Sequence, residues 1–303
     1  MIVRPRPHWV RLLFVWHGSV LPRILPQLAA VVGFSILVAG SHGHLFEWKV
    51  PLNATPFTLI GVALAIFLGF RINASYERYW EARKLWGTVL IECRTLARQA
   101  LTLSTAPEGA RSFVLGLVAF GEALKHQLRG SDPRGSLRRL LPPAAQAEVI
   151  AAEHRPNRLL LWLARWLAEA RRGGQLDPIL AATMEPPLAR LTDAMTGCER
   201  IAGTPIPFTY TVIIHRTVYF YSFLLPFGLV DGIGVMTPVV VGFVAYTFFA
   251  LEALSDEIEE PFGTQPNDLA LDAITVTLER SLREMLGDTD LPEAPKAFDY
   301  VIT

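Results

Sequence analysis

Residues 50–70, VPLNATPFTLIGVALAIFLGF, run for 21 positions without an Asp, Glu, Lys or Arg. A helix rises 1.5 Å per residue, so about 20 such residues cross the ~30 Å hydrocarbon layer of a bilayer. From Pro56 to Ser104 no proline intervenes, and the apolar positions Tyr76, Tyr79, Trp86, Leu90, Cys93 and Ala97 recur every three to four residues. That spacing predicts a span that continues beyond the membrane as a single helix, roughly 70 Å long.

Other charge-free stretches have the same length. Residues 24–46 contain no Asp, Glu, Lys or Arg, and neither do residues 232–251. Between Ile201 and Val230 the only such charge is Arg216, with His215 beside it, and the stretch opens on the breaker run Thr204-Pro205-Ile206-Pro207. Its start belongs at an interface, where Arg216 extends its head toward water. Four spans result. Of the whole chain 51% is apolar, 18% is charged and mean hydropathy is +0.33, which argues against an ordinary soluble enzyme and against disorder. The 28 basic and 28 acidic residues cancel, so overall charge gives no reason to expect nucleic acid.

Where the charges sit predicts orientation. The first 23 residues carry Arg4, Arg6, Arg11 and Arg23 and no acid, and residues 71–200 hold 19 of the 28 basic residues. The connections around Glu47 to Lys49 and at Asp231 are short and nearly uncharged. By the excess of Lys and Arg on the inner side, both termini and the middle segment face the cytoplasm. Arg11 and Arg23 break up the N-terminal apolar runs and no small-residue cleavage site follows, so a retained N-terminus is expected. The expected organisation is all-helical. Residues 1–71 hold an N-terminal segment and spans one and two, 72–200 a cytoplasmic helical region, 201–251 spans three and four, and 252–303 an acidic tail. Trp9, Trp16 and Trp48 suit interfacial belts as well as a core.

Within the middle segment, amphipathic helices are expected at Phe113 to Leu128, Asn157 to Arg172 and Pro178 to Arg200, with a stop at Gly173-Gly174 and a start at Asp177-Pro178. The tail holds 13 acids against Arg280, Arg283 and Lys296, so it either stays solvated or packs across basic helices. Cys93 and Cys198 read as reduced core thiols. Gly232-Ile233-Gly234, inside the fourth apolar stretch, reads as a site of close helix packing.

Catalytic signatures are missing: there is no Walker loop, no zinc-binding His-Glu-x-x-His and no nucleophile elbow. His42 and His44 are two ligands without a third nearby, so no metal site and no cofactor are expected. An enzyme is not expected.

Four motifs carry a resemblance. Gly69-Phe70-Arg71, preceded by the apolar run from Val62 and followed by Arg78-Tyr79-Trp80-Glu81, resembles the second transmembrane helix of the bestrophin family. Asp177-Pro178-Ile179-Leu180, Ile206-Pro207-Phe208-Thr209-Tyr210 and Glu260-Pro261-Phe262-Gly263 follow in family order over nearly the whole chain. The resemblance, to bacterial bestrophin homologues, implies a homopentamer in the cell (inner) membrane around one central ion pore. Its partners would be membrane lipid and permeant monovalent ions. It also implies that Val62, Ile66 and Phe70 line the membrane neck. From the residues alone, these three share one helix face, each turned about 40° from the last, and would otherwise read as a lipid-facing or helix-packed stripe. Four helices cannot enclose an ion path and also pack a core, so several copies around an axis are needed.

By the same resemblance Ile179 forms a second, cytoplasmic constriction. The family is known chiefly for chloride permeation, whereas prokaryotic members are reported to differ, and the sequence leaves the ion's sign open. Asp177 and the acids from Glu252 onward favour cations near the inner mouth, and Arg71 and Arg78 oppose them. Animal bestrophins follow the Pro-Phe-Gly turn with a run of acids that clasps calcium. Here Gly263 is followed by Thr264-Gln265-Pro266-Asn267-Asp268, with one carboxylate, so no calcium site is expected. A secondary transporter and a membrane-anchored scaffold are the alternative functions, although neither an internal repeat nor a polar mid-membrane site favours the transporter.

Overall fold

The computed structural model describes residues 1–4, 8–16, 18–45 and 48–303. In chain order the elements are α1 (Trp9–Leu12), α2 (Leu21–Gly40), β1 (His44–Leu45), β2 (Trp48–Lys49), α3 (Ala54–Leu103), α4 (Pro107–Leu128), α5 (Arg134–Leu140), α6 (Pro143–Ala151), α7 (Arg155–Arg172), α8 (Pro178–Gly203), α9 (Phe208–Ile233), a 3-10 turn (Gly234–Met236), α10 (Thr237–Glu259) and α11 (Leu271–Met285). Arg6 of the basic N-terminus, and Phe46 and Glu47 of the first short connection, lie outside the described residues. As the absence of proline predicts, α3 is one helix of 50 residues, about 75 Å long. The first apolar helix closes earlier than its charge-free stretch, at Gly40, because the chain turns at His42 and Gly43, both at positive φ, and pairs β1 with β2.

The elements divide into two compact units. Residues 5–79 and 205–260 form one; residues 1–4, 80–204 and 261–303 form the other.

The first unit packs α2, α9 and α10 with the first part of α3. Its core residues fall at helical spacing on each: Ile24 and Val31 on α2, Phe57, Leu64 and Leu68 on α3, Ile214, Val218 and Leu225 on α9, and Val241, Ala245, Phe249 and Ala253 on α10. α9 and α10 are antiparallel, because contacts climb one helix while descending the other. Tyr221 meets Phe248 edge-on with ring centroids 5.6 Å apart, Tyr219 meets Phe249 at 4.9 Å, and His215 Nδ1 lies 2.7 Å from Glu252 Oε1. At one end of this unit Lys49 Nζ reaches Asp231 at 2.8 Å, so the two short, nearly uncharged connections share an end.

Stretches long and apolar enough to cross a membrane occur at Leu21–Gly40, Ala54–Leu103 and Phe208–Glu259, the last interrupted by the 3-10 turn. Only 22% of the most apolar 18 residues of each stretch is buried within the chain. The remaining apolar surface requires lipid or further protein to cover it.

The structure corrects one reading of the glycines. Gly232 and Gly234 have open space where a Cβ would project, so neither packs against another helix of this chain; Gly232 lies within α9, and Gly234, at φ +53°, ends that helix at the turn into α10. Close approach occurs at Gly228, where a Cβ would stand 2.5 Å from two ring carbons of Phe57.

In the second unit α4 is buried at Ala110, Phe113, Val114 and continuously from Gly116 to Lys125, because α7 and α11 pack on it. The rings of Phe113 and Trp166 of α7 meet at a tilt of 36° with centroids 4.4 Å apart. The acidic tail is packed across basic helices: Asp272 receives Arg129 Nη1 at 2.6 Å and Lys125 Nζ at 3.1 Å, Glu279 pairs with Arg139, and Asp288 with Arg111 at 2.9 Å. Cys93 and Cys198 are free and buried, and burial, with Glu199 and Glu81 adding to it, pushes the Cys198 thiol up to about 12.

Burial works to raise Glu122 and Asp272. The Lys125 charge and hydrogen bonds outweigh it at Glu122, as hydrogen bonds from Arg129 and Lys125 do at Asp272, so both carboxyls sit below the ordinary carboxylate range. Burial and the Lys125 charge hold His126 below the usual histidine value.

Two expectations follow. Gly228→Ala should destabilise the protein by about 1–3 kcal/mol through overpacking against Phe57, whereas Gly232→Ala should leave the melting temperature in detergent within error. For pH, all three shifted groups bind fewer protons folded than unfolded. Stability therefore falls as pH drops through the histidine range and falls further through the lowered carboxylate values. A thermal melt series from pH 7 to 4 should decline throughout, and Glu122→Gln should melt lower at pH 7 but lose less on acidification. A melting temperature that rises toward pH 4 contradicts this assignment.

Candidate functional site

The exposed face of α3 is the first element of the candidate site. Val62, Ile66 and Phe70 are 57%, 52% and 62% exposed, while Leu64 and Leu68 between them are 2% and 0%. The three are stacked about 6 Å apart along the axis. Large apolar side chains held outward at regular spacing form a continuous apolar stripe some 12 Å long.

The rotation of α3 is set by Arg71. Its side chain is 1% exposed, and Nη2 donates to Asp256 Oδ1 at 2.6 Å and Glu259 Oε2 at 3.3 Å on α10. Arg23 of α2 reaches the other oxygen of Asp256 at 3.3 Å. Glu259 also accepts the backbone N–H of Ile206 just before α9 begins, at 3.3 Å. One turn further along α3, the hydroxyls of Ser75 and Ser255 lie 3.0 Å apart. This cluster joins all four helices of the unit at the end opposite Lys49 and Asp231. It was not legible in the sequence, which shows only Arg71 next to Phe70 and an acidic run 185 residues later.

The placement changes the reading of the charges. Arg71 does not present its charge beside Phe70; it is turned into the bundle. Arg78 donates through Nε to the Glu259 carbonyl at 3.1 Å. Asp256 and Glu259 are engaged by arginines, and Glu252 is 7% exposed and bonded to His215. The acids from Glu252 to Glu259 thus serve largely as internal partners.

Ile179 lies in the other unit, and local structure explains its exposure. After α7 the chain turns through Gly174 at φ +69°, the N–H groups of Gln175 and Leu176 return to the Ala170 carbonyl, and Leu176 is buried at 1%. Asp177 then caps α8: its Oδ1 accepts the N–H of Ile179 at 2.8 Å and of Leu180 at 3.3 Å. Such a cap is worth about 1 kcal/mol, and the negative charge suits the positive end of the helix dipole. With Leu176 anchored and Asp177 committed to the cap, Ile179 is held outward at 78% exposure. Asp177 is itself exposed, so its charge and its structural role coexist.

Among the described residues no group of three His, Cys, Asp or Glu is placed to hold a metal ion. In the turn after Gly263, the Asp268 carboxylate accepts the N–H of Gln265 at 2.7 Å, closing the loop.

Residues 1–284 match the family described as Bacterial/Fungal Bestrophin protein. The whole chain is 48% identical to the whole of a voltage-dependent anion channel-forming protein from Ralstonia nicotianae. It is 43% identical to a protein of the same description from Escherichia coli, over 96% of each chain. The crystal structure of a bacterial bestrophin homologue from Klebsiella pneumoniae, 44% identical, superposes with a TM-score of 0.85 over 88% of this chain and 100% of that one. This helical chain, with its exposed stripe on α3, therefore belongs to the bacterial and fungal bestrophin family.

Proposed function

We propose that the chain is one subunit of a homopentameric bestrophin-type ion channel in the cell (inner) membrane, passing small monovalent ions. Val62, Ile66 and Phe70 of each copy form an apolar neck, and Ile179 forms a separate cytoplasmic constriction. α2, the first part of α3, α9 and α10 are the four spans, and both termini and residues 72–200 and 252–303 lie on the cytoplasmic side. The observation that carries this reading is the α3 stripe: three large apolar residues more than half exposed on a helix whose opposite face is fully buried. Relatives named as anion channel-forming proteins support the channel class. A ring of such side chains resists ions because a hydrated charge meets no polar group to replace its water.

Flux into proteoliposomes separates the alternatives, since a channel gives rapid non-saturating flux, a secondary transporter saturable exchange, and a scaffold none. Replacing Val62, Ile66 and Phe70 together by Ala should raise single-channel conductance or open probability roughly twofold or more, because the dewetted stretch widens and shortens without new charge. Ile179→Ala should alter relative permeability among ions of different size. Leu64→Ala, on the buried face, should instead cost about 2–5 kcal/mol of stability with little change in current. Unchanged currents in the triple variant together with larger ones in Leu64→Ala would place the ion path elsewhere.

Topology is tested in a background lacking both native cysteines, whose burial would silence them on either side of the membrane. An impermeant maleimide should label Trp48→Cys on intact cells and Ile179→Cys only after permeabilisation. The reverse pattern overturns the orientation.

A further inference from the structure

The outward face of α3 does not end at Phe70. Steps of three and four residues carry it through Asn73 to Glu77. At 100° per residue these stand about 20° and 60° around the helix from Val62, inside the 80° sector that Val62, Ile66 and Phe70 span. Both are exposed, whereas Arg71 and Ser75, on the opposite side, are 1% and 0%. Glu77 lies about 10 Å along the axis beyond Phe70. Of the charges nearby in this unit, Asp256 is committed to Arg71 and Arg23, Glu259 to Arg71 and the Ile206 N–H, Glu252 to His215, and Arg78 to the Glu259 carbonyl, while further along α3 the exposed Lys84 returns to the same sector about 10 Å beyond Glu77. Among the described residues Glu77 forms no hydrogen bond or ion pair. It is thus a carboxylate without an internal structural partner, on the face of the apolar stripe and just past its end.

We propose that Glu77 is a charge-selecting residue of the conduction path, shifting its preference toward cations. The inference rests on the reading of Val62, Ile66 and Phe70 as the neck. Copies of the chain that turn those three toward a common axis turn Glu77 toward it as well, as a ring of carboxylates at the inner end of the neck. An apolar neck discriminates little by sign, so the charges at its mouth decide which ions arrive to cross it. Even at the dielectric of bulk water, one unit charge about 7 Å from an ion changes its local concentration roughly threefold, and the distance lies within the screening length at physiological salt. Several carboxylates in a ring act together. Asn73, between Phe70 and Glu77, supplies an uncharged polar step at which an ion leaving the apolar stretch regains hydrogen-bonding partners.

The test uses the full-length protein in planar bilayers under asymmetric sodium chloride. Glu77→Gln should move the reversal potential toward that of chloride, with the sodium-to-chloride permeability ratio falling about threefold or more, and Glu77→Lys should move it further. Glu77→Asp should stay near wild type. In a cysteine-free background, Glu77→Cys treated with a negatively charged methanethiosulfonate should shift back toward wild type, and a positively charged reagent should shift it the other way. Glu108→Gln, at the start of α4, controls for general surface charge and should leave the potential unchanged. Wild-type and variant currents with identical reversal potentials overturn the role of Glu77 while leaving the pore reading intact. No current from the wild type overturns the pore reading, and this proposal with it.

Discussion

A guanidinium cannot sit unpaired in an apolar helix bundle. Removing the Arg71 side chain from water to 1% exposure carries a desolvation cost of several kcal/mol, which only close acceptors offset. Asp256 and Glu259 supply them, and each is tied to a second group, Arg23 for one and the Ile206 N–H for the other. Arg71 stands 180° around α3 from Val62. With the Arg71 Nη2 committed to α10, this face of α3 is held toward the core, and Val62, Ile66 and Phe70 on the other side point away from it. The polar anchor therefore decides which apolar residues stay outside.

This inverts the usual logic of a folded chain, in which large apolar residues seek the interior. On α3 the interior positions go to Leu64 and Leu68 at regular spacing, and an equally apolar set is left outward. The choice between two such faces cannot rest on hydrophobicity, because both are hydrophobic. It rests on which face carries the charge that needs partners and on where the small residue Ser75 allows approach to Ser255. The same division appears at Ile179, where burial of Leu176 and the Asp177 cap hold a large aliphatic side chain in the open.

The second unit solves a different problem with the same interactions. α4 is buried nearly all round through its second half and must be covered on several sides, and α11 provides part of that cover through Leu271, Leu278 and Leu282. Charge sets where it docks: Asp272 meets Lys125 and Arg129, and Glu279 meets Arg139. Opposite charges spread along two helices favour one alignment over its neighbours, which apolar contacts alone do so weakly. The net negative charge of the tail and the net positive charge of the middle segment thus answer each other within one chain.

By itself the sequence determined the elements that depend on neighbours along the chain. The charge-free stretches set the apolar helices, the missing prolines made α3 continuous, Asp177-Pro178 set the start of α8, and the order of four short motifs pointed to the family. Each follows from local rules of spacing, proline geometry and capping. The sequence could place Val62, Ile66 and Phe70 on one face but could not say that this face was the open one. It misjudged Gly232 and Gly234 as packing residues, because a glycine pair in an apolar run looks the same whether it lies mid-helix or at a turn. It also read Arg71 as a free charge beside the neck and left the acidic tail undecided between solvent and a basic surface. Only the tertiary structure decided these points. Arg71 and the tail depend on partners far away in sequence, 185 residues for Arg71 and Asp256, and pairing over that distance is fixed by packing of the whole unit, which local periodicity does not encode.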